Sequence, residues 1–552
     1  MRYIISFFLL IFSTVLHSQI LQWAHDFGCS ANYASGLAIA TDHSGNSYVT
    51  GSFSGTVDFD PGIGVTNLIS TGGKDIFISK FDPNGNLIWA ISIGGSSDEQ
   101  GNSIAVDASQ NVVITGKLAS TNVDFDPGPS TYLISQSGIT DAFVAKYDTG
   151  GNFILAFKIG GTNIDIGNAI ETDTSSNIII AGVFYSSNTD FDPGTSTFPL
   201  SSAGSGDIFI AKYDSSGNFI FAFKIGGAND EEARAITIDK SQDILITGNF
   251  QSINMDFNPS ASSFLLSSSG SDDAYVAKYS QSGNFIWAFK VGAVTNELGQ
   301  SICTDSSQNV IFTGVFGGTN DFDPGASSFF LTSNGSGDGF VAKYDSSGNF
   351  IFAFGIGGTL LDEGWDLAIN STQDILLTGF ISGTNIDLDP GPSTYMVASN
   401  GNYDFFGSKY DASGNFISGF SIGGASDDFA NSIAVNPNDE VFITGYFNNA
   451  NVDFDPGSLQ YMQSVIGYSD IFLAKYTDLV TSEENNPAFG VTNAAIIFPN
   501  PANGKLTLKL NTILNGEMIE IYDSFGKIIQ TKNIVSEKTM IDLSNEATGI
   551  YF

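Results

Sequence analysis

Paired aspartates recur along this chain at a spacing that could bind a metal ion. The string Asp-Phe-Asp-Pro-Gly, or a close variant of it, occurs seven times. Two carboxylates at positions i and i+2 of an extended loop lie on the same side and could share Ca2+, a hard cation that prefers oxygen ligands. The candidate metal ligands are Asp58, Asp60, Asp124, Asp126, Asp190, Asp192, Asp321, Asp323, Asp387, Asp389, Asp453 and Asp455.

Turn formation explains the same motif without a metal ion. Pro fixes φ, Gly accepts a positive φ, and an Asp side chain bonds the backbone that follows it. In the variant that begins at Asp256, Asn258 replaces the second Asp while the loop keeps its length, which favours the turn. The sequence therefore predicts that no cofactor is required, and Ca2+ remains the alternative.

Motifs of enzyme catalysis are missing from the sequence. The histidines beyond the first 18 residues are His25 and His43, and neither an HExxH nor a GxSxG motif occurs. Carboxylates are abundant, so a glycosidase-type pair of acids stays open. The residues that break the repeated pattern are Tyr33, Arg234 and Trp365, and we interpret them as surface variation. The chain is predicted not to be an enzyme.

The repeat predicts the elements that position these residues. The aspartate motif returns every 65 or 66 residues, and each unit contains four strand-like runs. In the second unit these runs are 103–107, 111–116, 141–148 and 152–161, joined in part by short Gly and Asn turns. Four-stranded units repeated four to eight times are typical of a β-propeller. The sequence predicts an all-β fold with seven blades.

The two ends of the array predict how the ring closes. Residues 20–28 match the fourth strand of the unit, whereas the last repeat stops after its third strand at 470–477. The last blade would therefore take three strands from one end and one from the other, which leaves no open edge. Aromatic residues that recur in the outer strand predict packing between blades; they are Trp23, Trp89, Phe221 and Trp287.

The repeats resemble a known family of propeller units. The stretches DSSGNFIFAFKIGG (214–227) and SQDILITG (241–248) are similar to the β-propeller repeats called SBBP. The resemblance covers residues 19–478 and implies the fold. It does not imply an activity, because propellers carry many unrelated functions.

Loop lengths predict that one face of the propeller is acidic. The connections after the second and fourth strands are long and are expected on one face, which we call the crossing-loop face. The first-to-second and third-to-fourth turns are short and define the opposite turn face. The aspartate motif and acids such as Asp98, Glu99 and Glu231 fall in the long connections, whereas lysines such as Lys80 and Lys146 fall in strands. The sequence thus predicts a ring of carboxylates on the crossing-loop face that would attract cations.

Composition and the N-terminus exclude several classes of protein. There are 58 acids and only 20 bases, for a net charge of -38, which excludes a nucleic-acid binder. Residues 1–18 have Arg2 followed by an apolar run that is too short to span a bilayer, so they are predicted to be a signal peptide. No transmembrane segment is predicted elsewhere. Cys29 and Cys303 are expected to be unlinked thiols.

The C-terminal part has a different composition. Residues 479–493 read as a linker, and 494–552 as a small β-sandwich. This sandwich resembles the sorting domain of type IX (Por) secretion, which implies export through the periplasm of a Gram-negative bacterium and the type IX machinery as a partner. The chain ends inside its last motif, so we expect a truncated domain. The residues that carry the resemblance are Phe498, Pro499, Asn500, Pro501, Gly526, Gly549 and Tyr551.

Together these patterns predict a secreted or surface-attached propeller that binds a glycan or a protein as a monomer. The alternatives are a carboxylate-based carbohydrate-active enzyme and a purely structural module stabilised by Ca2+. The ligand itself is not predicted.

Overall fold

Every regular element that the structure describes is a β-strand, as the sequence predicts. The computed structural model describes residues 20–28, 33–448, 450–457 and 459–477, together with the backbone of five strands between 495 and 542. The predicted signal peptide, the linker and the sorting-motif residues other than Phe498 lie outside these residues. In the described part, no helix is long and apolar enough to cross a membrane.

Seven four-stranded antiparallel sheets form the blades of a propeller. The first strands contact one another in sequence, and the first strand of blade 1 also contacts that of blade 7, so they form the inner ring. The first strands are Ala34–Thr41, Gln100–Val106, Asp165–Thr172, Glu231–Ile238, Leu298–Thr304, Glu363–Ile369 and Asp428–Val435. The second strands are Ser47–Phe53, Val112–Leu118, Ile178–Phe184, Ile244–Phe250, Val310–Phe316, Ile375–Ile381 and Val441–Phe447.

The third and fourth strands complete each blade toward the rim. The third strands are Asp75–Phe81, Asp141–Tyr147, Asp207–Tyr213, Asp273–Tyr279, Asp338–Tyr344, Asp404–Tyr410 and Asp470–Thr477. The fourth strands of blades 1 to 6 are Leu87–Ile93, Phe153–Ile159, Phe219–Ile225, Phe285–Val291, Phe350–Ile356 and Phe416–Ile422. Third strands such as Asp141–Tyr147 are buried at every position, because neighbouring blades cover both of their faces.

The ring closes as predicted. The fourth strand of blade 7 is Ile20–Phe27, which pairs antiparallel with Asp470–Thr477 along its whole length. Ala24 is fully buried in this strand and lies opposite Ala474. Blade 7 therefore joins the two ends of the propeller, and the edge of Asp470–Thr477 is covered by the N-terminal strand.

A two-stranded hairpin is inserted between the second and third strands of every blade. The hairpins are Thr56–Asp58 with Asn67–Ile69, Val123–Asp124 with Leu133–Ile134, Thr189–Asp190 with Pro199–Leu200, Met255–Asp256 with Leu265–Leu266, Thr319–Asp321 with Phe330–Thr332, Ile386–Asp387 with Met396–Val397, and Val452–Asp453 with Met462–Gln463. In the C-terminal part, Ala495–Phe498, Lys505–Leu510 and Lys538–Asp542 form one sheet, and Met518–Tyr522 pairs with Ile528–Asn533.

The recurring aromatic residues pack between blades, which confirms the prediction. The indole of Trp89 in blade 1 donates to the carbonyl oxygen of Thr149, in the third-to-fourth turn of blade 2, at 3.0 Å. Gly151 of that turn has φ of 80° and lies against the ring of Trp89, so this position suits glycine in both conformation and space. Trp23 and Trp287 make the equivalent contacts with the next blade.

A buried lysine links each blade to its own first turn. The ammonium group lies against a carboxylate of the first-to-second turn, and in most blades it also donates to a carbonyl oxygen in the next blade, as Lys146 does to Ser215. These lysines are at most 7% exposed. The ion pairs are Lys80–Asp42 (3.7 Å), Lys146–Asp107 (2.8 Å), Lys212–Asp173 (2.9 Å), Lys278–Asp239 (2.7 Å), Lys343–Asp305 (2.9 Å), Lys409–Asp374 (3.0 Å) and Lys475–Glu440 (2.7 Å).

Candidate functional site

The carboxylates of the aspartate motif bond the backbone of their own loop. In blade 2, Asp124 Oδ1 accepts hydrogen bonds from the amides of Asp126 (3.1 Å) and Tyr132 (2.8 Å). Asp126 Oδ1 accepts one from the amide of Gly128 at 2.8 Å. In blade 4, Asn258 replaces the second Asp and accepts the equivalent bond from Ser260. The motif is therefore built as a turn in which Asn can replace Asp.

The inserted hairpin lies along the rim of its blade and does not crown the crossing-loop face. The Tyr147 hydroxyl, at the turn-face end of the third strand, donates to the carbonyl oxygen of Phe125 at 2.9 Å. The rings of Tyr132 and Phe153, the first residue of the fourth strand, are 4.8 Å apart. The hairpin nevertheless begins at the crossing-loop end, where Asp190 forms a bridge with Gly160 directly after the fourth strand of blade 2. Burial decides the fold of the hairpin, because Val123 and Phe125 are fully buried between blades 1 and 2.

The predicted metal ligands are dispersed around the rim, two in each of six blades. Within the residues that the structure describes, no group of three or more His, Cys, Asp or Glu side chains is placed to hold a metal ion. The turn stays the predicted role of these loops, and Ca2+ binding stays its alternative.

Adding Ca2+ is expected to leave the melting temperature unchanged. The first-aspartate Oδ1 and its loop amides already satisfy one another, so the turn needs no cation. The measurement compares thermal unfolding in a chelator with unfolding in millimolar Ca2+, and Mg2+ serves as the control for ionic strength. A rise in Ca2+ alone, lost on replacing Asp124 and Asp126 by Asn, would instead establish a metal site.

Each innermost strand contains a β-bulge at the same place, near the crossing-loop face. One residue of the first strand is left without a partner in the second strand, and bulges of this kind redirect a side chain and often occur beside functional sites. We call the seven bulged residues the bulge ring: Leu37, Asn102, Asn168, Arg234, Gln300, Trp365 and Asn431.

Three members of the bulge ring have a structural role. The side-chain amides of Asn102, Asn168 and Asn431 donate to a backbone carbonyl oxygen in the next innermost strand, at 2.6–3.0 Å. These contacts tie consecutive blades together around the axis. The other four blades have a different residue at this position: Leu37 in blade 1, and Arg234, Gln300 and Trp365 in the consecutive blades 4, 5 and 6.

Arg234 is held in the bulge ring by three neighbours. Its Nη2 lies 2.9 Å from Glu232, its Nε donates to Asn249 at 2.9 Å, and its Nη1 donates to Gln300 at 3.4 Å. The side chain is 32% exposed. A guanidinium has five N–H donors, so it keeps donors for a ligand.

Glu363 connects the polar and aromatic parts of the ring. Its Oε2 accepts hydrogen bonds from the indole of Trp365 (2.7 Å) and from Gln300 (3.5 Å). Burial raises the pKa of Glu363 above its usual value, and the charge of Arg234 opposes this. Arg234, Gln300, Glu363 and Trp365 thus form one continuous network across blades 4 to 6.

An aromatic cluster extends this network across blades 6, 7 and 1. The rings of Trp365 and Phe429 are stacked at 5.2 Å, and Tyr446 lies 5.3 Å from Phe429. Tyr33 lies 6.0 Å from Tyr446, and the ammonium of Lys74 is 3.5 Å above the Tyr33 ring. We use the term aromatic cluster for Tyr33, Trp365, Phe380, Tyr403, Phe429 and Tyr446. Two of the three residues that we interpreted as surface variation, Tyr33 and Trp365, therefore meet here, and Arg234 joins them through the network.

The carboxylates of the crossing loops are largely buried at the blade junctions. In blade 2, Glu99 is fully buried and accepts hydrogen bonds from the amides of Gly95 and Ala119. The prediction of free carboxylates is therefore wrong for Glu99 and Glu231, which accept hydrogen bonds from loop backbone, whereas Asp98 is exposed as predicted. The residues at this position in blades 2 to 7 are Glu99, Asp165, Glu231, Glu297, Asp362 and Asp428.

Each of these acids has a second carboxyl group nearby, at the start of the third strand of the preceding blade. Burial raises the pKa of Asp75 to about 6, and the charge of Glu99 adds to the effect. Burial likewise raises the pKa of Glu231 to about 7 and those of Asp362 and Asp404 to about 6. The folded protein therefore binds protons at these junctions more tightly than the unfolded chain does.

The melting temperature is expected to be highest at mildly acidic pH, near about pH 5. A raised carboxyl pKa stabilises the fold at low pH, and this contribution disappears as the pH rises through about 6 to 7. On the other side, Asp107 is buried, but hydrogen bonds from Lys146 and Asn111 keep its pKa below the usual value. That contribution is lost as the pH falls below about 4. Thermal unfolding between about pH 4 and pH 8 tests this, and Asp75→Asn should flatten the neutral side of the profile. A melting temperature that rises steadily up to about pH 8 would contradict it.

Several residues of this site cannot be recognised as site residues from the sequence of a single repeat. Gln300, Phe429, Tyr446 and Tyr403 are ordinary strand or loop residues in the sequence. Superposing the seven repeats supplies a signal: Asn recurs at the bulged position in three repeats, whereas the other four each have a different residue there.

Comparison with known proteins concerns the tail and the repeats separately. Residues 496–552 match the family described as secretion system C-terminal sorting domain. Over 615 aligned positions the chain is 25% identical to an uncharacterized WD repeat-containing protein of Acanthamoeba polyphaga mimivirus; the match covers 96% of this chain and 44% of that protein. Regulatory protein FlaEY of Caulobacter vibrioides is 25% identical over 178 residues, which are 32% of this chain and 18% of that protein.

The chain thus spans less than half the length of the curated relatives that it matches. Among solved structures, a chain of the mitotic checkpoint complex superposes with a TM-score of 0.39 and 8% identity, over 80% of this chain and 96% of that chain. With the sorting domain at its C-terminus and seven blades before it, the protein is a secreted β-propeller that type IX secretion exports to the cell surface or beyond in Bacteroidetes-type bacteria.

Proposed function

We propose that the propeller is a non-enzymatic binding or adhesion module whose ligand, a glycan or a protein, contacts the bulge ring and the aromatic cluster. One observation carries the proposal: the repeat breaks at one ring of positions, where Arg234 and Trp365 replace Asn. A specific site on a scaffold of near-identical blades needs a few blades to differ. These blades differ at neighbouring positions that one network joins through Gln300 and Glu363.

The chemistry of the site favours a neutral or basic ligand. Residues 19–478 hold 50 of the 58 acids and 14 of the 20 bases, so the propeller repels anionic polymers. Partly exposed aromatic rings next to carboxylate and amide groups suit a sugar ring or the polar surface of a protein. Arg234 supplies donors in this setting, and Glu232 and Glu363 supply acceptors.

Replacing Trp365 by Ala is expected to weaken ligand binding by about tenfold or more, because buried aromatic anchors dominate such interfaces. A glycan array and capture of cell-surface proteins identify the ligand for the purified propeller, and titration then gives the affinities. Trp287→Ala is the matched control, since it removes the same side chain at the rim of blade 4 and should leave affinity within about twofold. Folding of both variants is verified by thermal unfolding. Binding that survives both Trp365→Ala and Arg234→Ala would refute the proposed site.

A carboxylate-based carbohydrate-active enzyme is the second candidate. Glu363 has a raised pKa through burial, whereas Glu232 is held in an ion pair with Arg234. Two carboxyl groups in such different environments suit the roles of acid and base. Turnover of a glycan that is lost in Glu363→Gln, with binding retained, would replace the first proposal by this one. The third alternative, a structural module stabilised by Ca2+, depends on the chelator experiment above.

We also propose that the repeats are of the SBBP type, on the residues 214–227 and 241–248 that resemble it. This assignment concerns the kind of repeat and adds no activity.

A further inference from the structure

A cavity of about 650 Å3 opens on the turn face, opposite the bulge ring. It lies where the innermost strands of blades 3 to 6 end, and its volume falls in the range of about 300–1,000 Å3 that is typical of small-molecule sites. The lining includes the hydroxyl groups of Thr172 and Thr304, whereas the side-chain amides of Gln242 and Gln373 already accept hydrogen bonds from the turns of neighbouring blades. None of these residues belongs to the site proposed above.

Glu171 breaks the repeat in this cavity. It lies next to the end of its innermost strand, opposite Ile179. Four of the other six blades place Ala at this position, and Thr237 and Cys303 occupy it in the remaining two. The Glu171 Oε2 atom accepts one hydrogen bond, from the amide of Thr172 at 2.8 Å. A long acidic side chain has therefore been placed where packing elsewhere uses a small residue.

The other carboxylates around this cavity are already paired with lysines. Asp173 pairs with Lys212 at 2.9 Å, and Asp305 pairs with Lys343 at 2.9 Å. The same holds for Asp239, which pairs with Lys278 at 2.7 Å. The ammonium of Lys240 is exposed and donates to the carbonyl oxygen of Ser306.

Glu171 makes no ion pair with any residue that the structure describes. Burial raises its pKa to about 7, and the Thr172 amide opposes this. Glu171 is therefore the carboxylate of this lining with which the positive charge of a ligand can pair.

We propose that this turn-face cavity binds a small polyhydroxylated ligand that carries a primary ammonium group, of the amino-sugar class. The ammonium pairs with the Glu171 carboxylate. The hydroxyl groups of the ligand bond the side chains of Thr172 and Thr304. The site is independent of the bulge ring, because it lies at the opposite end of the innermost strands.

Calorimetric titration with glucosamine and glucose, two sugars of nearly the same size, tests this proposal on the purified propeller. At about pH 7 glucosamine is expected to bind at least about tenfold more tightly than glucose, because only its ammonium can pair with Glu171. At about pH 5 the carboxyl is protonated and the preference should disappear. Glu171→Gln, which keeps the shape of the side chain, should remove the preference at both pH values.

The control variant is Asp98→Asn, which removes an exposed carboxylate from the crossing-loop face and should leave the preference intact. Equal affinities for the two sugars, no binding of glucosamine, or a preference that persists in Glu171→Gln would each overturn the proposal. These results are separate from the fate of the bulge ring, because Trp365→Ala reports on that site alone.

Discussion

Deleting residues 20–27 is expected to abolish the cooperative unfolding of the propeller. This strand supplies the whole outer edge of blade 7, and without it Asp470–Thr477 becomes an open edge next to exposed core. Ala24 and Phe27 are at most 2% exposed. The lost burial and pairing amount to several kcal/mol, which is comparable with the roughly 5–15 kcal/mol that stabilises a whole domain.

Point variants in the same strand separate closure from mere shortening of the chain. Ala24→Asp places a carboxylate at a fully buried site, whereas Gln22→Asp places one at an exposed site two residues away. The first should lower the melting temperature strongly and promote association through the freed edge. The second should leave it nearly unchanged. Chemical unfolding and size-exclusion chromatography measure both effects. A deletion variant that unfolds like the intact propeller would disprove the role of the strand in closure.

Lys278→Ala is expected to lower the free energy of unfolding by about 3–5 kcal/mol, which is the usual effect of removing one partner of a buried ion pair. The Lys278 ammonium lies 2.7 Å from Asp239 and 3.4 Å from Asp243, and the lysine is 5% exposed. Its loss leaves Asp239 buried without a positive partner. The other blades keep their own lysine, so the damage should begin in blade 4.

Lys240→Ala is the matched control for this variant, because Lys240 is exposed and lies in the first turn of the same blade. Its free energy of unfolding should change by no more than about 0.5 kcal/mol. Urea unfolding at neutral pH gives both values. If the two variants lost equal stability, the buried pair would contribute nothing beyond a surface lysine.

Sequence alone predicts the blades because their pattern is local. Most residues of a strand such as Asp141–Tyr147 are apolar, and the turns around it contain Gly and Asn. The hydrophobic pattern and the turn residues therefore predict the same strand. The sequence also predicts the closing strand, since residues 20–28 repeat a pattern found in every other blade. Both features depend on contacts that the repeat itself encodes.

The location of the aspartate motif could not be read in this way. Its point of insertion is on the crossing-loop face, but Val123 and Phe125 draw the hairpin to the rim because they must be buried. Only these two buried residues indicate where the hairpin packs, and two residues are too few to show a hydrophobic period in the sequence. The bulge ring was hidden for a related reason: one extra residue shifts the alternation, so Arg234 and Trp365 look like solvent-facing positions in the sequence.

The closing strand has a consequence for the order of folding. Gln22 donates to the Thr477 hydroxyl, a partner 455 residues further along the chain. The first strand to be synthesised must therefore wait unpaired until almost the entire propeller has followed it. Contacts so distant in sequence form slowly, because a very large loop must close first. Blade 7 cannot form until the last third strand, Asp470–Thr477, has been synthesised, so the ring is completed last.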